Sequence, residues 1–258
     1  MGCLRGIFFD LDDTLINTTA TMEVALRAVQ PYLPEQNQNQ NTLAEALTLS
    51  YHQLWGYGTP GYATLKTLPT RKLRRDLTET ALGHLGITQP EQVEKIQAIY
   101  EDAERAALAA FPGVHETLRA LQPHFQLGII TNGPSILQRE KLEQLGLAQY
   151  FSTVVADADF GAPKPDPRLF VFAAELLQLH ESELMFVGDS LEADIAGASV
   201  AGWQSVFVGS KVSPEATFCI TKLEELLTLP SLQVLPERKR LATNAKVADT
   251  IVKRTKRC

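Results

Sequence analysis

"GIFFDLDDTLINT", residues 6–18, sets a short apolar run against three aspartates in four positions, Asp10, Asp12 and Asp13. The run from Ile7 to Phe9 is too short for a helix. It reads as a strand buried on both faces. Carboxylates crowded at the end of such a strand repel one another and resist leaving water, so they call for a cation and a purpose.

Working outward, similar apolar runs recur at residues 127–130, 153–156, 184–187 and 205–208, most of them rich in Val, Ile and Phe. Helical spacing fills the intervals at 113–121, 135–145, 167–177 and 191–201. Strand and helix in alternation predict an α/β fold, a three-layer Rossmann-like parallel sheet with right-handed crossovers. Residues 17–110 break this rhythm and show no strand pattern. Helical spacing occupies 70–85 and 90–110, while "NQNQN" (37–41) and "GYGTPGY" (56–62) read as loops. The expected organisation is a discontinuous core (1–16 and 111–230), an inserted helical cap (17–110) and a basic tail (231–258). Phe111-Pro112-Gly113 and residues 17–19 are the candidate hinges.

In open parallel sheets ligands bind outside the carboxyl ends of the strands. Four such ends carry polar residues here: Asp10 and Asp12 with Thr14; Thr131-Asn132-Gly133; Lys164 between two prolines in "GAPKPDP"; and "GDSLEAD" with Asp189 and Asp194. On one shared edge these carboxylates are compatible only with a neutralising cation. An all-oxygen donor set suits a hard ion, Mg²⁺. A metal-bound phosphate accounts for the rest: Thr131 and the amides of Asn132 and Gly133 donate to phosphoryl oxygens, and Lys164 balances charge. Taken singly, each piece also reads as a turn, a helix cap or a surface lysine. All of those ordinary readings would have to hold together, in order, at four strand ends.

"DLDDT", "TN", the lysine of "KPDP" and "GDSLEAD" resemble the four ordered motifs of the haloacid-dehalogenase-like (HAD) hydrolases, over residues 6 to about 209. The insertion resembles that family's type-1 cap. "TNGPSILQREKLEQLGLAQYF" and "VGDSLEADIAGASVAGW" are most similar to a branch holding N-acylneuraminate-9-phosphatases and pyrimidine 5′-nucleotidases. The resemblance implies that Asp10 attacks phosphorus to form an aspartyl-phosphate, and that Asp12 serves as acid, then base. It implies Mg²⁺ on Asp10, Asp189 and the backbone carbonyl of Asp12. Thr131 and Asn132 would bind phosphate, Lys164 would stabilise its charge, and Asp194 would support the metal or Lys164. Asp13 is left a local hydrogen-bonding residue and Thr14 a brace for the loop.

The expected activity is hydrolysis of a small phosphorylated metabolite, a sugar phosphate or nucleotide monophosphate. A phosphomutase of β-phosphoglucomutase type shares every motif and is the alternative; a non-catalytic binding protein is a third reading. Dehalogenases attack carbon and lack the second aspartate, so Asp12 speaks against that chemistry. Trp55, Tyr57, Tyr62 and Arg71 are available to contact the leaving group, though each also suits packing. The five histidines receive no role.

Composition sets the remaining bounds. No apolar stretch is long enough to span a bilayer, and three scattered cysteines give neither a disulfide framework nor a metal spacing, so a cytoplasmic setting is expected. Residues 236–258 hold eight Lys or Arg against Glu237 and Asp249. With the whole chain at −6, the first 235 residues carry −12. An acidic body argues against nucleic acid as the main ligand. Basic chain ends of this kind are mostly just solvated.

Overall fold

Phe8 and Phe9 face opposite ways. Phe9 and Ile7 join one buried cluster with Leu127, Ile129 and Val187, whereas Phe8 joins a second with Ile130, Phe170, Phe186 and Trp203. Successive side chains of a strand alternate faces, so apolar residues at three consecutive positions mean a sheet covered on both sides. The structure, a computed structural model, describes residues 3–37 and 39–232.

Six strands form that sheet: β1 (Gly6–Phe9), β2 (Gln126–Thr131), β3 (Thr153–Ala156), β4 (Leu184–Gly188), β5 (Gln204–Val208) and β6 (Phe218–Ile220). Their order is β3-β2-β1-β4-β5-β6, and every neighbouring pair is parallel. The chain steps from β1 to β2 and β3 on one side, then crosses to β4 on the other. The crevice between β1 and β4 is therefore the switch point at which such sheets bind ligands.

The insertion that follows β1 holds four α-helices among the described residues: α1 (Thr18–Val29), α2 (Gln40–Trp55), α3 (Thr70–His84) and α4 (Pro90–Ala107). They share a core of their own built from Leu26, Val29, Leu43, Leu82, Val93 and Ile96. The segments entering and leaving this insertion pair with each other. Ile16 bridges Ala110 in antiparallel fashion, the Asn17 N–H donates to the Ala109 carbonyl at 3.1 Å, and the Phe111 N–H donates to the Leu15 carbonyl at 2.9 Å. Beyond it, α5 (Val114–Leu121) and α6 (Ser135–Gln144) cover one face of the sheet. After the one-turn α7 (Asp157–Phe160), α8 (Pro167–Leu177) and α9 (Ala196–Val200) cover the other.

Several details depart from the sequence reading. The helical spacing of 191–201 resolves into a π-helical turn, Leu191–Ile195, followed by α9, and Asp194 sits in the π turn. "NQNQN" is not all loop: the Asn39 side chain accepts the Asn41 N–H at 3.1 Å and caps α2, so Gln40 and Asn41 are its first helical residues. The pattern of α1 is diluted by Thr18, Thr19, Thr21, Val24 and Val29, whose branched side chains disfavour a helix. Burial of Thr21, Ala25, Leu26 and Val29 at helical spacing outweighs that preference. β6 is a three-residue edge strand, and Cys219 sits within it, its Sγ accepting the Ser213 N–H at 3.3 Å. Leu232, just past the boundary expected at 230, is buried in the core. The cations of the basic tail lie outside the described residues. Among the described residues no helix is long and apolar enough to cross a membrane.

Gly128 lets β2 lie against the Phe8 ring: a Cβ there would sit 2.4 Å from a ring carbon of a fully buried side chain. Gly128→Ala is expected to destabilise the protein by about 3 kcal/mol, at the upper end for overpacking, because Phe8 is locked against Trp203 at 5.2 Å between centroids. Urea unfolding measures it; an unfolding free energy within about 1 kcal/mol of the parent would contradict that account.

Candidate active site

Register brings the first motif to the crevice. Phe9 pairs with Ile129 on one side and Val187 on the other, and the Asp10 N–H donates to the Val187 carbonyl at 2.9 Å. Asp10 thus emerges at the strand end between Thr131 of β2 and the turn after β4. Its carboxylate meets the Lys164 ammonium, Oδ1 to Nζ at 2.5 Å, and the same nitrogen lies 2.7 Å from Asp194 Oδ1. Lys164, Asp10 and Asp194 are all buried.

Each of these groups is held from behind. The Asn132 side chain grips the backbone of Lys164 twice, its Oδ1 accepting the Lys164 N–H at 2.8 Å and its Nδ2 donating to the carbonyl at 3.2 Å. Asp194 Oδ2 accepts the Ser190 N–H at 3.0 Å. Gly188 makes room for that carboxylate, since a Cβ there would lie 2.3 Å from Asp194 Oδ2. Asp189 Oδ1 accepts the Thr14 hydroxyl at 3.0 Å, tying the first motif to the last. Asp13, with a positive φ of 58°, turns outward and caps the start of α1, accepting the N–H and hydroxyl of Thr19 at 2.9 and 2.6 Å.

One oxygen each from Asp10, Asp189 and Asp194 lies within 4.8 Å of the others. Three carboxylates against one ammonium leave an excess of negative charge in a poorly solvated crevice. Burial, with Asp194 alongside, pushes Asp10 up to about 8 against the pull of Lys164, and burial also raises Asp189. Lys164 itself is held charged: burial alone would lower it, but Asp10 and Asp194 raise it above the ordinary lysine value. An oxygen-only cluster with unbalanced charge fits a hard divalent cation.

Asp12 does not join this cluster through its carboxylate. Its Oδ1 accepts from the Lys141 ammonium at 2.6 Å and from the Thr18 hydroxyl, and its Oδ2 accepts from Gln138 Nε2 at 2.7 Å. Burial would raise Asp12, but Lys141 and these donors prevail and hold it below the usual carboxylate range. Gln138 also reaches the Thr131 hydroxyl at 2.8 Å and the Asn132 carbonyl at 2.9 Å. The Gly133 amide, expected to face a phosphate, instead donates to Asp157 Oδ1 at 2.8 Å, and Asp157 Oδ2 accepts the Tyr62 hydroxyl at 3.1 Å. The Asn132 side chain, engaged with Lys164, is likewise a positioning group rather than a free donor. Burial raises Asp157 despite its bonds to the Gly133 and Ala158 amides and to Tyr62.

Over the crevice lies a cavity of about 730 Å³, bounded below by Asp12, Asn132, Gln138 and Lys164 and above by Tyr51, Trp55, Tyr57 and Tyr62 of the insertion. Of the residues expected to meet a leaving group, Arg71 does not line it; it borders a separate space beside α3 and α4.

The profile described as "haloacid dehalogenase-like hydrolase" matches residues 4–202. The chain belongs to this hydrolase family. Among its HAD relatives, a glyceraldehyde 3-phosphate phosphatase of Methanopyrus kandleri is 30% identical over 207 residues, covering 79% of this chain and 83% of the relative. The pyrimidine 5′-nucleotidase YjjG of Escherichia coli is 26% identical over 229 residues, covering 85% and 95%. Among solved structures, the putative HAD hydrolase YfnB of Bacillus subtilis, bound to magnesium, superposes with a TM-score of 0.68 at 23% identity, covering 90% of this chain and all of that one. The expected HAD core, a parallel α/β sheet, is the fold these comparisons share.

Gln138, Lys141 and Asp157 were not anticipated as parts of this HAD site. A signal for the first two existed: they stand three apart on the helix that opens directly after Thr131-Asn132-Gly133, and so share one face of α6 toward the crevice. Asp157 had none, because its partners Gly133 and Tyr62 lie 24 and 95 residues away.

Proposed function

We propose that this hydrolase is a Mg²⁺-dependent phosphatase that cleaves a small phosphorylated metabolite through an aspartyl-phosphate on Asp10. The observation that carries the reading is the meeting of Asp10, Asp189, Asp194 and Lys164 at one strand edge beneath a cavity. An anionic substrate handled with a bound cation accounts for three carboxylates gathered there. Asp10, Asp189 and Asp194 are the residues that would hold Mg²⁺, which when bound shields the nucleophile from an anionic target.

In the proposed first half-reaction an Asp10 carboxylate oxygen forms a bond to phosphorus as the bond to the ester oxygen breaks. Asp12 supplies the proton that the leaving alkoxide takes. Lys164, spanning Asp10 and Asp194, faces the phosphoryl charge, with the Thr131 hydroxyl as a donor beside it. In the second half, water attacks phosphorus, Asp12 takes its proton, and Asp10 and inorganic phosphate are released. The Lys141–Gln138–Thr18 clamp keeps Asp12 ionised and suits it to this second task. Its acid role requires the clamp to loosen, so that a proton replaces the Lys141 ammonium.

Phosphate release from a panel of monoesters tests the reading, with release in the absence of any bisphosphate primer separating it from a mutase. EDTA is expected to abolish activity and Mg²⁺ to restore it. The Asp10 carboxyl, about 8 when folded against an ordinary value near 4 unfolded, binds its proton more tightly in the folded state. Its contribution to stability is therefore complete below about pH 4 and lost as pH rises toward 8, on the order of a few kcal/mol. Mg²⁺ is accordingly expected to raise the Tm more at pH 8 than at pH 5. Equal shifts at both pH values, or none, would count against a cation on Asp10.

A further inference from the structure

We propose that the cavity selects phosphate esters whose leaving group is an uncharged ring system carried on a short arm, such as a nucleoside or an aromatic alcohol. The inference rests on the phosphatase reading and names its substrate class.

Three observations converge on it. The wall contributed by the insertion is mostly aromatic, with Tyr51, His52, Trp55, Tyr57 and Tyr62 beside Gly56 and Thr59. Most of these rings are spent on each other. Trp55 and Tyr62 are buried; Tyr51 meets Trp55 edge-on at 6.1 Å, and Tyr57 meets Tyr62 edge-on at 5.3 Å and 83°. Tyr57 is different, because it lines the cavity and is 59% exposed, with only its contact to Tyr62 among these rings. A flat ring entering from the crevice finds there a face to stack on.

Charge gives the second constraint. The cavity's two ammonium groups are both engaged, Lys141 by Asp12 at 2.6 Å and Lys164 by Asp10 and Asp194. The neighbouring guanidinium groups are engaged as well: Arg74 pairs with Glu104 at 2.7 Å, and Arg168, which bonds Tyr57, is gripped by Asp166. His52 adds an imidazole that can donate or accept a hydrogen bond. A carboxylate on the leaving group would enter beside Asp12 and Asp157 and would have to compete with Asp12 for Lys141, giving up hydration without a cation of its own. Size is the third constraint. About 730 Å³ is the liquid volume of roughly two dozen water molecules, far more than a two- or three-carbon alcohol fills.

The test uses the full-length protein with Mg²⁺ and compares kcat/KM among esters that all leave as primary alcohols. Uridine 5′-monophosphate and benzyl phosphate carry uncharged rings, sn-glycerol 3-phosphate is uncharged without a ring, and 2-phosphoglycolate and O-phosphoserine carry carboxylates. The ring esters are expected to exceed the carboxylate esters by about tenfold or more, the value of one stacked ring. Tyr57→Ala should lower the ratio of ring ester to glycerol phosphate by about the same factor, through KM, and Tyr57→Phe should restore it. The exposure of Tyr57 makes misfolding of these variants improbable, and a thermal melt checks it. Carboxylate esters cleaved as well as ring esters, or a Tyr57→Ala variant that lowers every substrate equally, would overturn the assignment while leaving the phosphatase intact. Failure to release phosphate from any ester would overturn both.

Discussion

Asp10→Asn is expected to lower turnover by about 10⁴-fold or more, the scale on which removing a covalent nucleophile acts. The amide is nearly isosteric and fits the same space, but it has no carboxylate oxygen to attack phosphorus. The fold should survive, and in the absence of Mg²⁺ near pH 8 the variant should melt no lower than the parent. Two opposed changes meet there. One of the two carboxylates on Lys164 is lost, yet so is one of three crowded negative charges. Circular dichroism with single-turnover phosphate release would show both results. Near-normal turnover in Asp10→Asn would end the aspartyl-phosphate mechanism outright.

Lys164→Met carries the second large effect, and its signature is in stability. The side chain sits with 3% of its surface exposed between Asp10 and Asp194, themselves at 9% and 1%. Replacing it with an apolar group of similar length leaves two buried carboxylates with no cation. Breaking a buried pair in this way costs about 3–5 kcal/mol, or a fall in Tm on the order of 10 °C for a chain of this size. The loss has a direction in pH. With the ammonium gone, Asp10, already raised by burial, loses the group that lowers it, so acid should recover part of the stability by protonating it. Mg²⁺ at neutral pH should recover part of it by supplying positive charge. A neutral-pH loss under about 1 kcal/mol would mean that the three charges are not coupled as the geometry indicates.

The strand ends were legible because two independent signals coincide there: a short apolar run, then polar residues of one chemical kind. Asp10, Lys164, Asp189 and Asp194 could be named before any geometry was known, since the parallel order of β1, β3 and β4 leaves their ends no choice but a common edge. What hid were partners whose role depends on distance. Gln138 reads as a polar residue on a surface helix, yet it is buried and joins Asp12 to Thr131. Asn132 reads as a phosphate-binding residue, whereas the hold of its side chain on the Lys164 backbone, 32 residues along, leaves no signal in the sequence. Asp12 reads as one more member of an acidic cluster, but Lys141, 129 residues further along, draws its carboxylate aside. In the insertion, α1 and α2 escaped notice because threonines and a run of Asn and Gln obscure patterns that tertiary burial and a side-chain cap then rescue.

The short ribbon at residues 15–17 and 109–111 makes the insertion separable. Its two ends stand one hydrogen bond apart, so the sheet experiences the ninety-odd residues between them as little more than a tight loop. Exchange of residues 20–108 for another helical unit with equally close ends would leave β1, β2 and the carboxylate edge in register, with Thr18 and Thr19 still on Asp12 and Asp13. The insertion can thus change its own packing without shifting the sheet, joined to the strand edge by a few bonds such as Thr18 to Asp12 and Tyr62 to Asp157.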